Sequence, residues 1–153
     1  TWVPTAINQQ PNSITDEEDL AGKGTFGSFT LKQLRTDALA PQSSNNCPSP
    51  VNIPVLAGAG VFRFSDGSLL TVRVNSGGLC IDLVNGVAHI SESVQVTGGT
   101  GRFQGASGTL SMTGTVAPVF FVKDSNFQAL MLMVTGEFSG LMYGSGLGDG
   151  GGE

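Results

Sequence analysis

Residues 97–114 read TGGTGRFQGASGTLSMTG, a glycine-dense turn followed by a strand with alternating side chains. Gly98, Gly99 and Gly101 have no Cβ, so the backbone there can adopt positive φ and reverse sharply between two strands. Beyond the turn, Leu110 and Met112 alternate with threonine and serine. A period of two is typical of a strand that is buried on one face and wet on the other. This stretch therefore predicts a turn and a strand of an antiparallel β domain.

The residues of this turn are predicted to be structural. Arg102 and Phe103 lie among the glycines, and we expect Phe103 to close one end of the sheet while Arg102 binds nearby carbonyl oxygens. The pattern TGGTGRFQG fits neither the dinucleotide-binding nor the Walker motif, and no strand-helix-strand context follows it. The predicted turn residues are Gly98, Gly99, Gly101, Arg102, Phe103, Gly105 and Gly108.

The rest of the chain predicts further strands with short connections. Asp66-Gly67 and Asn85-Gly86 lie between apolar alternating runs, and such dipeptides favour type I′ hairpins. Residues 37–57 contain four prolines and predict a long loop. The predicted strands are 22–36, 61–65, 69–74, 79–84, 87–97, 107–117 and 129–139.

Seven or eight such strands predict an all-β fold, an antiparallel eight-stranded up-and-down barrel, because closure removes exposed edges. A two-sheet sandwich is the alternative. Residues 1–20 predict an extended N-terminal arm, with a short helical turn where Thr15 and Glu18 match a capping box. Residues 21–140 form the barrel domain, and 141–153 form a Gly-rich tail.

The composition excludes several classes of protein. Only 12% of the residues are charged, the net charge is -5, and the seven basic residues are scattered. Nucleic-acid binding needs clustered cations, so no nucleic-acid partner is expected. No apolar run reaches the length of a membrane span. These features favour a β protein whose surface is partly covered by neighbouring subunits.

Two cysteines, Cys47 in the proline-rich loop and Cys80 in a predicted strand, predict a disulfide that tethers the loop to the sheet. Two separate buried thiols are the alternative. A disulfide indicates a secreted, extracellular or periplasmic protein. Two cysteines and one distant His89 have no zinc spacing, so no metal or cofactor is expected. The acidic run Asp16 to Asp19 and the Gly-Asp-Gly tail raise calcium binding as an option, against a solvated acidic turn.

The TGGTGRF stretch, preceded by HISESVQV, resembles the allene oxide cyclase and dirigent group of small β-barrels, particularly its secreted bacterial relatives. The resemblance covers residues 22–140 and rests chiefly on the TGGTGRF..G..G pattern. It implies an eight-stranded antiparallel barrel with a hydrophobic cavity. In the plant members it implies trimers that cyclise an epoxide or steer radical coupling without a cofactor.

A pocket inside such a barrel would need ionisable groups, whose pKa values burial perturbs. Glu92 alternates with Ile90 and Val94 and is the best candidate, while Glu137 alternates with Met133. Arg63 and Arg73 are candidate partners that would orient a carboxylated or phenolic ligand. Carboxylates on a polar outer face are the alternative. No catalytic constellation is recognisable, which favours a non-enzyme.

Two functions follow as expectations. The first is a secreted structural or assembly subunit that joins a filament or larger extracellular complex through its terminal arms. Its partners would be copies of itself or other extracellular proteins, by arm exchange or strand addition. The alternative is a hydrophobic-ligand-binding or cofactor-independent cyclase-type barrel, with a small hydrophobic ligand in its lumen.

Overall fold

The structure, a computed structural model, describes residues 2–5, 11–44, 47, 51–122 and 128–144. Apart from one short 3-10 helix, Gly101–Phe103, the regular elements in these ranges are strands. The first strand has four residues, and the others have 12 to 16. The strands are β1 (Trp2–Thr5), β2 (Ser13–Gly24), β3 (Gly27–Ala38), β4 (Asn52–Phe64), β5 (Leu69–Asp82), β6 (Val87–Gly99), β7 (Ser107–Val122) and β8 (Gln128–Tyr143).

The strands form an antiparallel up-and-down half-barrel. Neighbours in the sheet follow chain order from β1 to β8. β1 lies beside β8 as well as β2, but within the described ranges backbone pairing joins β1 only to β2. Seven long strands, β2 to β8, therefore make the wall of the half-barrel. The antiparallel up-and-down prediction is confirmed, and full closure by eight strands stays a prediction.

The concave face holds two apolar clusters with polar side chains between them. Val94 is fully buried in the larger cluster with Leu31 and the phenylalanines of β4. Ile90 lies in the smaller cluster with Met112. Glu92 is buried on the same face of β6, between Ile90 and Val94. The interior is therefore apolar at both ends and polar in its middle layer.

The glycine-rich stretch between β6 and β7 is a tight connection closed by Phe103. Gly101 has φ of 60°, in the left-handed region that favours glycine. At Gly99, an added Cβ would lie 2.5 Å from the carbonyl oxygen of Leu69, so only glycine fits the close strand approach. The Phe103 ring is buried against Phe64, with centroids 4.6 Å apart. This connection therefore covers one end of the larger cluster.

Arg102 binds the neighbouring hairpin ends from the same connection. Its guanidinium donates a hydrogen bond to the carbonyl oxygen of Phe26. It also lies over the rings of Phe64 and Phe103, 4.9 Å from each centroid. Its Nε is 3.3 Å from a carboxylate oxygen of Asp66. Arg102 thus joins the β2–β3 turn to the β4–β5 turn.

The prediction of a helical turn at Thr15 and Glu18 is wrong, because both residues lie in β2. β2 pairs with β3 along its whole length, from Ser13 opposite Ala38 to Gly24 opposite Gly27. This long ladder outweighs the local capping preference. The predicted arm boundary at residue 20 falls inside β2.

Several predicted strand boundaries also change. The predicted strand 22–36 is divided by a turn before Gly27, which has φ of 90°. The predicted strands 69–74 and 79–84 are one strand, β5, with a register shift between Val74 and Ser76. The predicted loop 37–57 is shorter, because β3 reaches Ala38 and β4 begins at Asn52. The last strand, β8, extends to Tyr143, and the Gly-rich tail from 145 onward lies outside the described residues.

The predicted disulfide between Cys47 and Cys80 is confirmed. Cys47 lies between β3 and β4 and is buried, whereas Cys80 belongs to β5. Their Cα atoms are 5.3 Å apart. The bond holds the long connection against the sheet.

Candidate functional site

The polar middle layer of the interior contains an excess of carboxylates around a single arginine. We call this set the Arg35 cluster. β2 and β3 supply most of its side chains and β6 supplies one, so it spans the concave face. Arg35 itself is 1% exposed. The cluster consists of Asp16, Glu18, Gln33, Arg35, Asp37 and Glu92.

Arg35 binds three carboxylates at once. Its Nη1 is 2.7 Å from an oxygen of Glu18 and 3.1 Å from Glu92 Oε1. Its Nε and Nη2 donate to the carboxylate of Asp37 at 3.0 to 3.2 Å. The planar guanidinium suits this arrangement because it offers five donors in a fixed geometry. The residue therefore fixes three strands, β2, β3 and β6, relative to one another.

Several polar atoms of the cluster have no hydrogen-bond partner among the described residues. Gln33 Nε2 donates to Glu92 Oε2 at 3.1 Å, so Glu92 uses both of its oxygens. In contrast, both oxygens of Asp16, one of Glu18 and the amide oxygen of Gln33 are buried without a partner. An unpaired buried carboxylate is costly when ionised. The cluster therefore contains more carboxylate oxygens than its described hydrogen-bond donors pair.

Burial changes the proton affinity of these carboxyl groups. Desolvation, reinforced by neighbouring Asp37, raises the pKa of Asp16 to about 7. Desolvation likewise raises the pKa of Glu18 to about 7, although Arg35 opposes the shift. The pKa of Asp37 is raised for the same reason. For Arg35, burial lowers the pKa, but the carboxylates outweigh it and the net shift is upward. The cluster therefore holds protons close to neutral pH.

We expect the protein to lose stability as the pH rises from 5 to 8. The pKa values of Asp16 and Glu18 are higher in the folded chain than in the unfolded chain, so the folded state binds protons more tightly. Their contribution is complete below about pH 4 and is lost as the pH rises through 7. For Asp16 we expect a loss of about 2 kcal/mol between pH 5 and pH 8. Urea unfolding at each pH measures it.

Asp16→Asn is the informative variant for this pH dependence. It removes one titrating group and should stabilise the protein at pH 8 while flattening the pH profile. Glu137→Gln is the matched control, since Glu137 is exposed and its loss should leave the profile unchanged. Asp66 and Asp82 have lowered pKa values, through hydrogen bonds from Ser68 and Asn85 respectively, so they titrate below this window. A stability that rises between pH 5 and 8 would contradict the assignment.

The half-barrel has an opening between β2 and β8, which we call the seam. β1 pairs with β2 only from Thr15 to Glu18. Above that point residues 20–24 of β2 pair with β3 alone in the described structure, and residues 134–142 of β8 pair only with β7. Two cavities of 520 and 250 Å³ lie at the seam. Both are lined by Gly24, Phe29 and Phe138.

The larger cavity has an aromatic lining. Phe62 packs edge-on against Phe29 and Phe138, with centroids 5.3 and 5.1 Å apart. Phe64 and Phe26 complete the aromatic wall. Such a surface binds apolar groups, but it offers few polar groups that would orient a hydrogen-bonding ligand. The seam therefore connects solvent with an apolar cavity. Along β2 and β3, Leu20 and Leu31 are the apolar residues that come next to the Arg35 cluster.

The structure separates the predicted pocket residues. Glu92 is buried, and its partners are Arg35 and Gln33. Arg63 and Arg73 are exposed, and Arg73 binds Gln95 on the outer face. Glu137 is exposed on β8 at the rim of the smaller cavity. Glu92 is thus not joined by any of the other three predicted residues.

Sequence reasoning missed Arg35 and its acidic neighbours. The signal is present in β3, where Leu31, Gln33 and Arg35 alternate on one face. It is also present in β2, where Asp16 and Glu18 alternate with Leu20. The four acidic residues 16–19 are consecutive in the sequence, but side chains on a strand alternate between its two faces, so Asp16 and Glu18 point into the interior. Glu17 and Asp19 of the run bind Lys32 instead, on the opposite face.

The described residues contain no group of three or more His, Cys, Asp or Glu side chains arranged to hold a metal ion. In the ranges that the structure covers, no helix has the length and hydrophobicity of a membrane span. The calcium option in the Gly-Asp-Gly tail lies outside the described residues. Comparison with protein-family models, curated proteins and solved structures gives no match. The likeness to the allene oxide cyclase and dirigent group therefore stays a prediction.

Proposed function

We propose that the protein is a secreted assembly subunit, which joins a filament or larger extracellular complex by accepting a strand at the seam. The observation that carries this proposal is the open seam, where residues 20–24 and 134–142 both lack a partner strand on one side in the described structure. Sheet edges are templates for pairing with another chain, and most proteins cover them. Strand addition would also complete an eight-stranded barrel.

Composition and covalent structure support a role outside the cytoplasm. The Cys47–Cys80 disulfide is typical of oxidising compartments, namely the extracellular space or the periplasm. Only 12% of the residues are charged, which suits a surface that neighbours cover. Of the predicted arms 1–20 and 141–153, residues 13–20 belong to β2 and 141–143 to β8, so the proposal keeps only the remaining terminal residues as arms.

The outer face of β8 supplies a second apolar surface beside the seam. Met133, Leu141 and Tyr143 are 54%, 69% and 65% exposed. By strand alternation, their side chains lie on the face opposite that of Phe138, next to the strand edge. Leu141 and Tyr143 are adjacent on this face, whereas Thr135, Glu137 and Ser139 separate them from Met133. Adjacent exposed apolar side chains mark interaction surfaces more often than isolated ones do. A partner strand that reaches this end of the seam would therefore meet apolar surface on both faces of β8.

Assembly is tested by measuring the mass of the full chain over a range of concentrations by analytical ultracentrifugation. We expect concentration-dependent oligomers, and Leu141→Lys should weaken them at least tenfold because it places a charge in the contact. Val84→Lys is the control, since Val84 is 93% exposed in the β5–β6 turn, away from the seam. A full chain that stays monomeric at every concentration, alone and with extracellular proteins from its own source, would overturn the proposal.

The predicted alternative, a hydrophobic-ligand-binding or cyclase-type barrel, has one observation in its favour. The 520 Å³ aromatic cavity is large enough for a small apolar ligand. Glu92 is poorly placed to orient such a ligand, because Arg35 and Gln33 already occupy its two oxygens. Of the two versions of this alternative, the cavity therefore supports ligand binding, whereas no side chain is assigned to cyclase chemistry.

A further inference from the structure

We propose that the seam is a docking slot for one extended peptide strand of a partner protein, with apolar side chains at alternate positions. The inference rests on the proposed assembly function and specifies its contact. The slot is bounded by residues 20–24 of β2 and 134–142 of β8. It continues directly from the position that β1 occupies lower on the same edge of β2.

The direction of the bound strand follows from the topology. Successive strands from β2 to β8 alternate in direction, so β2 and β8 run the same way. A single strand between them therefore has the same orientation to both edges, and the antiparallel orientation is the more stable form of pairing. β1 already has this orientation, with Trp2 opposite Glu18 and Thr5 opposite Thr15. The docked strand would extend the β1 position beyond Trp2.

The side chains of the bound strand follow from the two faces of the slot. The inner face opens on Phe29, Phe138 and Met112, so inward positions need apolar side chains. The space beside Gly22 and Gly136 is already filled, because an added Cβ would lie 2.6 Å from the Phe29 ring and 2.3 Å from the carbonyl oxygen of Thr113 respectively. Inward groups of a bound strand would therefore enter the 250 Å³ cavity itself. Outward positions lie beside exposed polar residues in the middle of β8, namely Thr135, Glu137 and Ser139, and tolerate threonine or serine there. The edge formed by residues 20–24 accommodates about five residues, roughly 17 Å of extended chain.

A peptide explains the slot better than a lipid does. An acyl chain would fill the aromatic cavity but would leave the backbone amide and carbonyl groups at both edges without partners. An extended peptide supplies hydrogen bonds to both edges and apolar groups to the cavity, as in recognition by strand addition. The two open strand edges, one on β2 and one on β8, are therefore the feature that favours a peptide over a lipid.

Hydrogen exchange on the full chain tests the slot. The probe is a synthetic seven-residue peptide of alternating threonine and valine with blocked ends. On adding it, we expect the amides that point towards the open edge, which alternate along residues 20–24 and 134–142, to exchange at least tenfold more slowly. Amides in the β3–β4 ladder, which is paired on both sides, serve as the internal control. The same peptide with alternate amides N-methylated keeps its side chains but loses the donors of one edge, so protection should disappear at the protein strand that this edge faces.

Cross-linking locates the peptide independently. A cysteine in place of a threonine near the centre of the peptide should form a disulfide with Ala21→Cys under mild oxidation. Thr30→Cys is the matched control, because Thr30 is also exposed and pairs with Ala21, but lies on β3 between two strands. Equal cross-linking of both variants would overturn the slot, as would absence of amide protection.

Two further outcomes separate this inference from the proposed function. Protection that appears on raising the protein concentration alone supports both, and identifies a second copy as the strand donor. Protection by the peptide in a chain that never assembles supports the slot and overturns the assembly function. Oligomers whose seam amides stay unprotected support assembly and overturn the slot. A fluorescent fatty acid that binds in the cavity and blocks the peptide, with no edge protection by any peptide, overturns the slot in favour of ligand binding.

Discussion

Arg35→Met is expected to destabilise the protein by about 3 to 5 kcal/mol at pH 7, which is the cost of removing one partner from a buried ion cluster. Methionine retains the aliphatic bulk of the side chain but leaves Glu18, Asp37 and Glu92 without their shared cation. Against a typical total stability of about 5 to 15 kcal/mol, this loss is large. Urea unfolding followed by circular dichroism measures it.

The pH dependence of the Arg35→Met variant distinguishes a charge effect from a packing effect. Acidification to pH 4 protonates the orphaned carboxyl groups and should restore much of the lost stability. Arg73→Met is the matched control, because Arg73 is exposed and contacts Gln95 on the outer face, and surface substitutions change stability by about 0.5 kcal/mol or less. A loss that is equal at pH 4 and pH 7 would show that the cluster acts through packing alone.

Removal of the disulfide is expected to have a comparable effect. The bond between Cys47 and Cys80 closes a loop with a sequence separation of 33. In the chain-entropy model, opening a loop of this size costs roughly 3 to 4 kcal/mol. The double variant Cys47→Ala, Cys80→Ala should therefore unfold at a much lower urea concentration than the native protein, with the half-barrel retained at low temperature.

The control for this prediction is reduction of the native protein, which breaks the same bond without changing composition. Reduced protein and the double variant should have matching unfolding midpoints, and both should show faster hydrogen exchange at Asn52, which pairs with Cys80. An unchanged midpoint would mean that the connection between β3 and β4 is held by its other contacts, such as the bridge between Gln42 and Asn52.

The sequence is most informative where local chemistry determines structure. Asp66-Gly67 and Asn85-Gly86 lie at turns between consecutive antiparallel strands, so the predicted hairpins are confirmed. The predicted type I′ geometry is wrong, because it needs positive φ at both residues and only Gly67 and Gly86 have it. The alternation along β6 predicts Glu92 on the apolar face of its strand, and Glu92 is buried there. These features depend on neighbours in the chain, so short patterns suffice to find them.

The Arg35 cluster depends on neighbours in space, which is why sequence reasoning missed it. Asp16 meets Arg35 only because β2 and β3 pair in one register, and Glu92 joins from a strand far along the chain. The capping-box pattern at Thr15 and Glu18 favours a helical turn, but the long ladder with β3 outweighs it. Long-range pairing therefore decides both the cluster and the failed helix prediction.

The parity of the charged residues on β2 has a consequence for folding. Side chains on a strand alternate between faces, so sliding β2 by one residue against β3 would turn Asp16 and Glu18 outward and bring Glu17 and Asp19 inward. Because the acidic run has carboxylates of both parities, Lys32 and Arg35 would keep acidic neighbours after such a slip. The alignments differ instead at Leu20, which would leave the apolar interior, and at Lys23, which would enter it. Leu20 and Lys23 therefore give the nascent sheet a means of rejecting an incorrect alignment that the acidic run alone would tolerate.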